Sequence, residues 1–256
     1  MADLTTLANV KEYLAITTSG QDALIPKLIA RESRHIERWT SRTFPYVQNT
    51  GKRLNGTGTS VLMLPDQPII AIQALTICGV DVPAAPDDQS AGYLFDDVAI
   101  YLGAGQIFPM GRQNVLCSWT SGYKANVPAT IPDANVPTIT VLDPGIAVQV
   151  AAVTGADGTV FTLAANAPAP GEYAFEAPTF TFNAANANTA VYLDCYYVPG
   201  PVEQGCIEMV GLDLKGRDNL GIASKTLAGE TISYQGGAMT SSVKEMLQPF
   251  KKMVPV

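Results

Sequence analysis

Between residues 125 and 200 the sequence has no lysine and no arginine, but six acidic residues. The same stretch alternates apolar and polar side chains with period two: Thr138-Ile139-Thr140-Val141, Ala147-Val148-Gln149-Val150, Thr159-Val160-Phe161-Thr162-Leu163, Tyr173-Ala174-Phe175, Thr179-Phe180-Thr181-Phe182 and Ala190-Val191-Tyr192-Leu193. Turn residues break it at Asp143-Pro144-Gly145, Gly155-Ala156-Asp157-Gly158 and Pro170-Gly171. Short alternating runs between such turns predict a small antiparallel β-sandwich. No helical period occurs from Pro128 to Cys195, so residues 125–195 read as an all-β domain inserted into a host made of residues 1–124 and 196–256. A module without Lys, Arg or His, and with no Cys before its last strand, has little to run chemistry with; it reads as a contact surface.

The host is close to neutral. Residues 1–124 carry ten basic and eleven acidic side chains and residues 201–256 six of each, so nearly all of the formal net charge of −7 belongs to the middle. A protein that coats nucleic acid needs a positive surface, which this balance argues against. No apolar run reaches the ~20 residues of a membrane helix. Met-Ala-Asp-Leu-Thr-Thr-Leu lacks the basic and apolar regions of a secretory signal, so the expectation is a soluble, cytosolically made chain without membrane contact.

A search for catalytic chemistry finds nothing to assign. Cys78, Cys117, Cys195 and Cys206 stand far apart with no C-x-x-C pair, against the paired ligands of a zinc site, and read as small buried hydrophobes. His35, the single histidine, lies among arginines with no orienting partner in sight. Nucleophile elbow, P-loop, zincin and dinucleotide motifs are all missing. Asp87, Asp88, Asp96 and Asp97 could flank a metal-binding cleft, although acids in proline-rich loops serve more often as turn residues. No catalytic, cofactor-binding or metal-ligating residue is predicted, and the chain is read as no enzyme. The aromatic alternation Tyr173, Phe175, Phe180, Phe182 leaves one other reading open, a carbohydrate- or host-binding β-module.

The flanks supply helices. Thr5 or Thr6 can cap a short helix running to about Leu14. Asp22 is placed to cap a longer one, with Pro26 in its first turn and Ile25, Leu28, Ile29, Ile36 and Trp39 on one buried face. That helix is predicted to stop near Thr43-Phe44-Pro45. Lys27, Arg31, Arg34 and Arg38 form one stripe on it, with Glu32 and Glu37 nearby: either a solvated, ion-paired face or a surface for an acidic protein neighbour. Short strands follow at 52–54, 60–64, 69–72, 74–77 and 114–119, with Gly56-Thr57-Gly58 as a hairpin between the first two. After Pro199-Gly200-Pro201 a helix is predicted over 203–218, then a glycine-rich stretch with a strand at 230–234, then a helix over about 240–247. The fold class is α+β: a small helical domain with a short antiparallel sheet, plus the sandwich-like insert.

Three stretches resemble the head–tail connector (adaptor) proteins of tailed bacteriophages. They are Leu4-Thr5-Thr6-Leu7-Ala8-Asn9-Val10-Lys11-Glu12-Tyr13-Leu14 with Asp22 to Ile25 and Ser33 to Phe44; Leu62 to Ile70; and Met209-Val210, Arg217 to Lys225, Gly229 to Tyr234 and Ser242 to Phe250. The resemblance implies a homo-oligomeric ring, typically of twelve copies, in the virion neck between the portal and a tail-side neck, stopper or tail-terminator protein. DNA would pass through its lumen without sequence-specific binding, and no catalysis or cofactor is implied. It also implies portal contact through the C-terminal helix and tail, here Met246, Phe250, Lys251, Lys252, Met253 and Val254. The loop before them would touch neighbouring subunits through Ile222, Lys225, Leu227, Ile232 and Tyr234, joined by the helical stripe residues Arg31, Arg34 and Arg38.

Overall fold

The structure, a computed structural model, describes residues 3–44, 46–217, 224–227, 230–233 and 239–252, with residues 224–227 and 230–233 described by backbone alone. It is mixed α and β, and mostly β.

Four helices make one unit. Helix α1 (Leu7–Tyr13) starts where the Thr6 hydroxyl accepts from the Asn9 N–H at 3.2 Å. Helix α2 (Ile25–Thr40) has Pro26 in its first turn but no side-chain cap. Asp22, the expected cap, lies in the turn before it and instead takes the Lys11 ammonium at 2.7 Å. The helix ends at Ser41, whose φ of 54° turns the chain out of the helix two residues before the predicted stop. Helices α3 (Gly200–Gly216) and α4 (Ser241–Leu247) complete the unit, α4 capped by the Thr240 hydroxyl on the Val243 N–H. Val10, Ile25, Ile29 and Ile36 meet Val202, Cys206, Val210, Val243 and Leu247 in one core. Each buried aliphatic there contributes roughly 1.5–3 kcal/mol. Glu203 ties α3 to the N-terminus by accepting from Thr5 at 3.1 Å and Asn9 at 2.6 Å.

Residues 46–122 form a first β unit with its own core. Its strands are β1 (Val47–Gly56), β2 (Val61–Met63), β3 (Ile69–Ile77), β4 (Val80–Asp81), β5 (Tyr93–Phe95), β6 (Ala99–Leu102) and β7 (Gly111–Ser121). They make one sheet in the order β1-β7-β3-β4 and another in the order β2-β6-β5. The predicted β1–β2 hairpin does not form: β1 pairs with β7 and β2 with β6. Gly56 serves a close approach instead, since a Cβ there would lie 1.9 Å from the Pro109 carbonyl oxygen. Leu62, Leu75, Ile100, Phe108, Val115, Cys117 and Trp119 fill the space between the sheets.

A second β unit spans residues 123–199. Strands β8 (Tyr123–Thr130), β9 (Thr138–Thr140), β10 (Gly145–Gly155), β11 (Val160–Leu163), β12 (Glu172–Glu176), β13 (Thr179–Phe182) and β14 (Ala190–Pro199) form one sheet in the order β8-β14-β10-β11-β12-β13-β9. Every pairing is antiparallel except β11 with β12. Just past β9, the Val141 carbonyl accepts from the Ala147 N–H on β10 at 3.2 Å, which nearly closes the sheet into a barrel. Two stacked sheets were expected; one curled sheet is found, because alternation reports which side chains are buried and not how the strands connect. A short antiparallel pair, β15 (Ser224–Leu227) and β16 (Glu230–Ser233), lies between α3 and α4 in sequence.

Candidate functional site

The stripe on α2 is exposed as its spacing predicts: Lys27, Arg31, Arg34 and Arg38 all face out. Glu32 and Glu37 do not. Both were expected beside the stripe, on a solvated, ion-paired face or a surface for an acidic neighbour, and both are buried, at 5% and 8% exposure. They fall on the same inward face as Ile29, Ser33, Ile36 and Thr40, which α3 and the chain after α2 cover. Glu32 is compensated, accepting from the Arg31 Nε–H at 2.7 Å and lying 3.3 Å from His35 Nδ1. Arg31 also pairs with Asp213 on α3. Burial pushes the Asp213 carboxyl above its usual range even so.

Around the end of α2, residues Arg34, Glu37, Arg38, Ser41, Arg42 and Thr43 line a cavity of about 270 Å³. Burial raises the Glu37 carboxyl above the usual glutamate range, against the opposing pull of the Phe44 backbone N–H and of Arg34. Its Oε1 is buried without a hydrogen-bond partner, and so is the Arg42 Nε–H. Arg34 and Arg38 make no ion pair among the described residues. The sequence reading missed this site. The signal was present, since positions 25, 29, 32, 33, 36, 37 and 40 repeat at helical spacing and two of them are glutamates.

The C-terminal segment lies against the body of its own chain. Met246 packs on the helical core. The Phe250 ring meets Phe44 edge-on at 6.0 Å and Tyr123 at 6.3 Å. Lys251 sits 4.8 Å above the Trp39 ring, in cation–π range. The Lys252 backbone N–H donates to the Thr40 carbonyl at 2.8 Å, and its ammonium donates to the Pro65 carbonyl at 2.8 Å. These contacts join the helical unit to both β units at an aromatic cluster that includes Tyr197, 5.8 Å from Tyr123. Met253, Val254, Ile222 and Tyr234 lie outside the described residues. Lys225, Leu227 and Ile232 lie on β15 and β16, with Lys225 opposite Ile232.

Other candidates dissolve into structure. Asp87 accepts from the Gln89 and Ser90 N–H groups, and Asp96 from those of Val98 and Ala99 and from the Tyr101 hydroxyl. Both build turns. No group of three or more His, Cys, Asp or Glu is arranged to hold a metal among the described residues. Burial pushes Cys117 and Cys206 up to about 12 and Cys195 to about 11, leaving inert thiols. Cys78 departs from expectation: it is exposed, in the turn between β3 and β4. Tyr173, Phe180 and Phe182 are buried inside the curled sheet, with Phe175 packed against them, so they present no aromatic platform for a sugar.

The model of the head completion protein family matches residues 3–139. No curated protein matches the chain. Among solved structures, one chain described as "Neck of empty GTA particle computed with C6 symmetry" is 21% identical, covering 47% of this chain and 70% of its own, with a TM-score of 0.29. Another, described as "Virion of native gene transfer agent (GTA) particle", is 20% identical over the same shares, with a TM-score of 0.28. The matched family span takes in α1, α2, the whole first β unit and β8, which is more than half of the sequence and includes two of the three stretches that resemble phage connectors. The chain belongs to the head completion protein family.

Proposed function

We propose that this head completion protein forms an adaptor ring, of about a dozen copies as the resemblance implies, in the virion neck. The portal lies on one side, a tail-side neck or stopper protein on the other, and DNA passes through the lumen. In this reading residues 1–124 and 196–256 are the ring-forming host domain. Residues 125–195 are an inserted domain that points outward to another neck component. Membership of the family over residues 3–139 is the observation that carries the reading.

The physical chemistry is consistent with it. Each phosphate-neutralising lysine or arginine on a channel wall would strengthen non-specific holding of DNA, and a net charge of −7 keeps that grip weak. Rings arise from heterologous contacts whose rotation closes, and each junction should bury upwards of ~1,000 Å². The candidate contacts are Arg34, Arg38 and the β15–β16 pair between subunits, and the segment from Met246 onward at the portal. Phe250, Lys251 and Lys252 hold the chain's own three units together, so portal binding through them would exchange internal contacts for external ones.

The test is the mass and electron-microscope class averages of the purified chain, alone and with the portal protein of the same particle. A closed ring seated on the portal is expected. A chain that stays monomeric with the portal present overturns the reading.

A further inference from the structure

The C-terminal segment is fastened in two stages. Helix α4 is seated by Val243 and Leu247, both fully buried in the helical core. The strap that follows, a single 3₁₀ turn (Gln248–Phe250) with Lys251 and Lys252, is held differently. Gln248, Pro249 and Lys251 are exposed, and Phe250 and Lys252 are only half-buried. A backbone bond from the Lys252 N–H to the Thr40 carbonyl fixes its end at 2.8 Å. Each of the three units has a core of its own, so the strap can leave while α4 and all three cores stay closed.

Both ammonium groups of the strap have neutral partners. Lys251 lies over the Trp39 ring and Lys252 donates to the Pro65 carbonyl. Neither pairs with a carboxylate among the described residues. A hydrogen bond between two ionised groups is stronger than one with a neutral acceptor. Phe250 meets Phe44 and Tyr123 by ring contact alone, which any apolar recess can replace. A surface that offers carboxylates to the two lysines and a recess to the phenyl ring therefore gives the strap better partners than its own chain does.

We propose that residues 248–252 are a latch, closed on Trp39, Thr40, Phe44, Pro65 and Tyr123 in the free chain and opened by an acidic surface of the portal while α4 stays in place. The latch rests on the portal contact of the ring reading and adds its regulation. While the strap is closed, the side chains that would meet the portal are occupied at home. The free chain then binds with an affinity lowered in proportion to the fraction of open strap.

Thr40→Cys combined with Lys252→Cys, in a Cys78→Ser background, tests this by locking the strap. The backbone bond between these two positions sets their Cα atoms roughly 5–6 Å apart, within the span of a disulfide. The oxidised and reduced forms contain the same residues, so a difference in binding to immobilised portal reports the latch. The oxidised chain should bind at least about tenfold more weakly, with full recovery on reduction. Tyr123→Leu removes a ring that faces Phe250 and leaves the strap unaltered; it should bind at least about threefold more tightly than the wild type. Binding by the wild type should weaken as salt is raised from about 50 to about 200 mM, and a flat response overturns the acidic surface. Equal binding by the oxidised and reduced forms overturns the latch and leaves the portal contact standing, as does a Tyr123→Leu chain that melts like the wild type and binds no more tightly. A cysteine pair that does not oxidise overturns the closed state. A wild-type chain that does not bind portal overturns the contact and the latch together.

Discussion

The helical unit and the second β unit solve burial in opposite ways. The interior of the curled sheet is apolar throughout: Phe161, Tyr173, Phe180, Phe182, Val191 and Leu193 pack there, and no buried polar or charged residue lies between 123 and 199 among the described residues. Its polar pairing stays outside, where Asp194 takes Lys124 at 3.1 Å and Asn126 at 2.6 Å. The helical unit buries Thr5, Glu32, Ser33, Glu37 and Thr40 beside its aliphatic core. A dry interior is satisfied by its own chain. A polar interior in which Glu37 Oε1 and the Arg42 Nε–H are buried without hydrogen-bond partners carries a desolvation cost that the curled sheet does not.

The contrast can be broken most directly at Phe180. It is fully buried and lies 4.8 Å from the Phe175 ring, so Phe180→Ala should destabilise the curled sheet by about 3–5 kcal/mol. Calorimetry should then show the loss in the second β unit while the helical transition stays; simultaneous collapse of both would mean the two cores are one cooperative body. Gly145 is the next largest. A Cβ there would lie 2.1 Å from the Val198 carbonyl oxygen, where β10 and β14 meet the helices, so Gly145→Ala should cost roughly 1–3 kcal/mol in chemical denaturation. An unchanged midpoint would show that the junction is loose.

Glu37→Gln sharpens the other side of the comparison. The folded carboxyl titrates above its unfolded value, so the folded state binds the extra proton. Stability from this group is therefore full below the ordinary glutamate range, about pH 4, and falls as pH rises through the raised value. The variant should lose that slope, gaining on the wild type at about pH 7 relative to about pH 4. Parallel melting curves at every pH would mean the carboxyl is not desolvated. Smallest of all, Lys11→Met removes a partly exposed pair with Asp22 and should shift stability by less than about 1 kcal/mol, an effect that salt should mimic.

Local chemistry was legible in the sequence wherever one turn or one strand decided the matter. Of the two cap candidates Thr5 and Thr6, Thr6 caps the first helix, and six alternating runs in the middle became strands. Strand β8 was missed because Pro128 sits inside it; as an edge strand, β8 can spare that N–H. Asp22 has the right side chain for a cap and lies two residues too early, where Lys11 competes for it. The glycine pair at 56 and 58 looked like a hairpin because a tight turn and a close backbone approach ask for the same residue.

What the amino acids determined alone was the division of labour: an alternating middle without a basic residue had to become a sheet with a dry interior, and the flanks had to become helices around an aliphatic core. Only the tertiary structure decided that the middle curls into one nearly closed sheet, that β1 pairs with β7, and that Glu37 Oε1 and the Arg42 Nε–H are buried without hydrogen-bond partners at the end of α2. Caps and periodicity act over a few residues and are written in order along the chain. Strand partners and desolvation depend on groups distant in sequence, and become defined only when the cores have packed.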